Sequence, residues 1–149
     1  MAPDLTKTLA ELEGSGLSQP EFYSHAVTNS HRLYQVPLQE YTVEDLRFMI
    51  SQQFGLPYLI PIALEHLHTD PLAEGDYHPG DLLAALLLAD SRYWIASPQH
   101  RAETDTIAHR AFSLLPSLED ADQHYAHDSL THSYDIFQRA EYFAQHGRA

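Results

Sequence analysis

Two stretches of this chain, Tyr58–Leu67 and Leu82–Ala89, are apolar nearly all round, and the residues between them are polar and broken by proline and glycine. A helix without a polar face has to be enclosed by the rest of the protein, so these two runs are expected at the centre of the fold. Pro61 lacks a backbone N–H and is best placed in a first turn, so the first helix is expected to begin near Leu59 or Ile60, with Leu56-Pro57-Tyr58 leading into it. Pro71 disfavours the α conformation at Asp70 and sets the other end. The second helix has Asp81 at its N-terminus and Pro79-Gly80 as the turn into it. The connector between them reads Pro71-Leu72-Ala73-Glu74-Gly75-Asp76-Tyr77-His78-Pro79-Gly80-Asp81.

The flanking sequence is helical in period throughout. Val43, Leu46, Met49 and Ile50 follow Thr42, whose hydroxyl can cap a helix carrying Glu44 and Asp45 in its first turn, and Gly55 reads as its stop. Upstream, Leu5 to Leu12 forms a short helical piece ended by Gly14 and Gly16. Ser18-Gln19-Pro20-Glu21 has capping-box spacing ahead of a helix from about Pro20 to Tyr34, with Phe22, Ala26, Val27 and Leu33 inside and Pro37 closing it. Downstream, Ser91–Ile95 makes one or two turns in which the only tryptophan, Trp94, anchors the end of the core. Ser97-Pro98 then opens a helix with Ile107, Ala111, Leu114 and Leu115 inward, ending before Pro116. Ser117 begins a short helix to about Tyr125 with Leu118, Ala121 and Tyr125 inward. Asp128 caps a last helix from Ser129 to about Gln145, striped by Leu130, Tyr134, Phe137, Ala140 and Ala144, with Gly147 beyond. No alternating strand pattern, internal repeat or low-complexity run occurs. The expected fold is therefore all-α, a single-domain compact bundle of about six to eight helices over residues 1–149.

The central residues also resemble one family of contact-dependent growth inhibition immunity proteins. The resemblance lies in Asp45-Leu46-Arg47, Ile50 with Gln52, Gly55-Leu56, Tyr58-Leu59-Ile60-Pro61 and Ala63-Leu64. Above all it lies in Asp70-Pro71-Leu72-Ala73-Glu74-Gly75-Asp76-Tyr77 followed by Pro79-Gly80-Asp81-Leu82-Leu83. It covers about the central third of the chain and implies a small bacterial protein that neutralises the toxin domain delivered by a neighbouring cell. Its partner would be the cognate C-terminal toxin domain of a contact-dependent growth inhibition effector, and no cofactor is implied.

Eight basic residues against 21 acidic ones give a net charge of −13, spread along the chain. Phosphate binding draws on Lys and Arg clusters that are missing, so no direct nucleic-acid partner is expected, whereas a basic protein such as a nuclease toxin suits this charge. The same charge would also serve solubility alone. The absence of cysteine removes disulfides and thiol nucleophiles. Leu82–Ala89 is too short to span a bilayer, and the first residues lack the basic region and apolar run of a secretion signal, so a cytoplasmic location is expected.

Eleven histidines raise a second class of function, a small metal-dependent hydrolase. His124, His127, Asp128 and His132 have ligand-like helical spacing, and His66, His68 and His78 with Glu74 and Asp76 form another possible cluster. Neither contains a specific motif such as HExxH, and other histidines are scattered as surface residues are, so no metal is expected. Glu74, Asp76 and Asp81 could converge for acid–base work, but in a Gly/Pro-rich connector such groups more often bind turn backbone. No phosphate loop or nucleophile elbow is present, and catalytic residues are not assigned.

Members of an immunity family each meet a different toxin, so a motif defining the family is expected to serve the shared scaffold. Gly75, Pro79 and Gly80 are read as turn formers, and Asp76 and Asp81 as acceptors for backbone N–H groups. Toxin contact is expected from Glu74 and from acidic faces outside the motif: Glu103 and Asp105 on one helix, then Glu119, Asp120 and Asp122, with Tyr125 and Tyr134 as aromatic anchors.

Overall fold

The computed structural model describes residues 3–19 and 23–146, with backbone alone over 140–146. Among these, regular structure consists of eight α-helices, two single-turn 3-10 segments and one isolated bridge, so the fold is all-α as the periodicity implies. The helices are α1 (Leu9–Glu13), α2 (His25–Tyr34), α3 (Val43–Ser51), α4 (Leu56–Thr69), α5 (Asp81–Leu87), α6 (Ser91–Ala96), α7 (Pro98–Leu114) and α8 (Asp120–His146). Pro20 and Glu21 of the expected capping box, the inward Phe22 and the stop at Gly147 lie outside the described residues.

The apolar run that looked most enclosed is the centre. Every residue of α5 is buried, and the helix packs chiefly between α3 and α8. Helix α4 lies against α3 and α7, burying Leu59, Ile60, Ala63, Leu64 and Leu67, and α6 closes the far side against α7 and α8. There Trp94, 3% exposed, meets Phe137 edge-to-face at 5.4 Å. Gly80 enters α5 at φ 87°, a left-handed conformation that costs other residues energy, and a Cβ there would sit 3.3 Å from Leu130 of α8.

Local signals set most helix starts. Thr42 caps α3 through a reciprocal box with Asp45, and Thr8 caps α1 the same way with Glu11. Helix α2 starts at His25 under a Ser24 cap, later than the Pro20 expected. Ser97 holds the N-cap position of α7 without its side chain capping the helix.

Several expectations need correction. Helix α4 begins at Leu56, not near Leu59, because Pro57 takes the first-turn position and Pro61 is carried one turn inside. Gly55 starts α4 instead of ending α3. The left-handed residue closing α3 is Gln53 (φ 65°), and Phe54 N–H to Met49 O with Gln53 N–H to Ile50 O completes a Schellman motif. The Gln53 amide joins in from the side, donating to Leu88 O at 3.2 Å and accepting from Asp90 N–H at 2.9 Å, which ties this turn to the end of α5. Asp128 caps nothing: α8 runs unbroken through it because Ala126, Leu130, Ser133 and Phe137 keep one buried stripe across the supposed break. That register turns Ala121 and Tyr125 outward, and Leu114 is likewise exposed.

Leu86 of α5 and Leu64 of α4 are 0% and 3% exposed. Truncating either to Ala removes buried contacts and leaves a cavity, so denaturant unfolding should show a loss of about 2–5 kcal/mol. A near-neutral result for both would place the core elsewhere.

Candidate functional site

The connector 71–80 is fixed from both ends by carboxylates. Asp81, only 5% exposed, accepts the Gly75 N–H at 2.7 Å through Oδ1, and the Tyr77 and His78 N–H groups at 3.0 and 3.5 Å through Oδ2. Placed in the first turn of α5, its charge also meets the positive end of that helix. Gly80 N–H closes the loop onto Leu72 O at 3.0 Å, beside the Glu74–Pro79 bridge.

The second fixing point is Glu44 at the start of α3. Arg47 grips it in a two-toothed pair at 2.6 Å for each bond, and Glu44 Oε1 also accepts the Asp76 N–H at 2.9 Å. Burial alone would raise the Glu44 carboxyl, but the Arg47 and Asp76 hydrogen bonds outweigh it and hold it below its ordinary value. The same pair raises the Arg47 guanidinium. Gly75 is required here by close approach: a Cβ would lie 2.5 Å from Glu44 Oε1 and 3.2 Å from Asp81 Oδ2. Asp76 thus joins the network through its own N–H, in contrast to the acceptor role expected of its carboxylate. Tyr77, its backbone held by Asp81, lies with its ring 4.5 Å from the Arg47 guanidinium carbon and stays 70% exposed.

The residues expected to meet a partner are spread over separate faces. Glu74 is exposed at a groove shared with Glu65, His66 and Asp70 at the end of α4. Glu103 reaches His68 of α4 at 3.2 Å. Asp105 accepts the Tyr134 hydroxyl at 2.6 Å, an α7–α8 bond that also draws in His109. Burial, then the Asp105 hydrogen bond, pushes the Tyr134 phenol up to about 12, and that bond braces two helices. Glu119 precedes α8, Asp120 and Asp122 occupy its first turn, and Tyr125 stands 63% exposed one turn on.

The metal readings find no common centre among the described residues, where no group of three His, Cys, Asp or Glu side chains could hold an ion. His124 and His127 each contact Asp128 pairwise, at 3.5 and 3.6 Å, on the solvent side of α8. His68 turns to Glu103 and His78 to the Pro79 carbonyl, so the second cluster disperses. Asp81 is committed to backbone N–H groups and does not form an acid–base pair with Glu74.

Sequence reasoning passed over Glu44, Arg47 and Tyr77 as a unit. The three-residue spacing of the first two signals an ion pair on one helix face. Nothing local signals that Asp76 and Tyr77 close over it.

A family model for CDI immunity proteins matches residues 11–104, wider than the central motif and ending within α7. No curated protein matches the chain, and no solved structure does. The match contains both fixing points of the connector and leaves α8 outside.

Because Glu44 binds its proton less readily folded than unfolded, it contributes stability above the ordinary value of 4.5 that is lost as pH falls through that value towards the lowered folded one. The urea midpoint of the Glu44→Gln variant should therefore vary less between pH 7 and 3 than that of the parent. Asp81→Ala strands buried N–H groups and should cost about 2 kcal/mol or more at neutral pH.

Proposed function

Because this chain belongs to the family of CDI immunity proteins, the immunity proteins of contact-dependent growth inhibition systems, we propose that it protects the cell that makes it by binding the cognate toxin domain one to one. The whole chain acts as one domain in the cytoplasm, occluding the toxin without turning over a substrate of its own. Among the described residues no helix is long and apolar enough to cross a membrane. The family match over residues 11–104 carries this reading.

The net charge of −13 favours a basic toxin, of which a nuclease is the natural case because its own substrate is polyanionic. The contact faces are the acidic start of α8 with Tyr125 and Tyr134 as anchors, together with Glu74, Glu103 and Asp105. Removal of metal by a chelator leaves neutralisation intact on this account, and loss of protection after that treatment would restore the hydrolase reading.

Isothermal titration of the purified cognate toxin domain should give a stoichiometry near one, and stopped-flow association should slow as salt is added. Replacing Glu119, Asp120 and Asp122 together by Lys should lower the on-rate further. It should also cost about 1 kcal/mol or more of stability, since these charges sit at the positive end of α8. An on-rate indifferent to both salt and charge reversal removes the electrostatic component.

A further inference from the structure

We infer that the groove between α2, α3 and the connector seats a lysine or arginine side chain of the toxin, with Tyr77 as the aromatic anchor beside it. The role of the groove rests on the toxin-binding reading above. The cavity is ≈ 500 Å³, and Asn29, Arg32, Asp45, Ser51, Asp76 and Tyr77 are among its walls.

Its charges nearly cancel, and the remainder falls on one atom group. Of the carboxylates lining it, Glu44 is consumed by Arg47, and Asp45 lies 3.6 Å from Arg32 and caps α3. Asp76 is exposed, and among the described residues no side chain or backbone group satisfies its carboxylate. Asn29 Oδ1 is taken by Arg32, at 3.2 and 2.9 Å, so the groove offers a single uncompensated negative charge, on Asp76, which fits one cationic side chain from a basic partner.

Tyr77 supplies the apolar part of the contact. An exposed tyrosine usually loses rotamer freedom when a partner covers it. Here the backbone is held by the buried Asp81 carboxylate and one ring face is held over Arg47, so most of that ordering is already done. A fixed tyrosine next to a polar cavity has the character of residues that dominate protein interfaces.

The test is calorimetric titration of the cognate toxin domain into parent, Tyr77→Ala, Tyr77→Phe and Asp76→Lys proteins, with a melting curve for each. Tyr77→Ala should raise Kd about thirtyfold or more, Tyr77→Phe should stay within about threefold, and Asp76→Lys should raise Kd at least about tenfold, all with melting temperatures near the parent value. Parent-like Kd for both Tyr77→Ala and Asp76→Lys, with the parent still binding, overturns the groove and leaves the neutralisation reading standing. Absence of binding by the parent chain itself overturns both.

Discussion

A carboxylate almost withdrawn from water holds the middle of this molecule together. An ionised group in an apolar setting is costly unless hydrogen bonds replace its hydration. Asp81 obtains those bonds from the backbone of the connector it follows, at Gly75, Tyr77 and His78. The arrangement serves both sides: the charge is solvated, and a loop that would otherwise expose its N–H groups is folded onto the start of the most buried helix. Glu44 repeats the device from α3 by taking the Asp76 N–H while paired with Arg47, so the connector is stitched between α3 and α5. Gly75 is where the two carboxylates crowd the chain, and a Cβ there would push the Glu44 carboxylate from its place on the Asp76 N–H.

Much of this was legible in the sequence wherever the cause is local. The Thr42 box, the turn at Gly80 and the burial of Leu82 to Leu87 follow from residues adjacent in the chain. The misreadings share one physical origin, which is that a local signal was outweighed by a contact far away. Gly55 looked like the stop of α3, but Gln53 accepts the left-handed conformation while its amide bonds Leu88 and Asp90, more than thirty residues distant. Asp128 looked like a cap, but Leu130 and Phe137 are buried in register with Ala126, so the helix continues.

The family motif and the surface a toxin would meet were expected to be separate. The geometry makes that division finer than a stretch of sequence. Within the motif, Gly75, Gly80 and Asp81 face inward and build the loop, while Asp76 and Tyr77 are carried outward by it. A scaffold held this firmly lets one or two exposed positions vary without disturbing the core, a useful property for proteins that share a fold and differ in the toxin they recognise.

Carboxylates holding both ends make the connector rigid in the free protein, and native-state hydrogen exchange reads this directly. The Gly75 and Tyr77 amides, bonded to a buried carboxylate, should exchange nearly as slowly as the amides of α5, because releasing them requires opening the core. Exchange of these two amides at the rate of an open surface loop, while α5 stays protected, would contradict it.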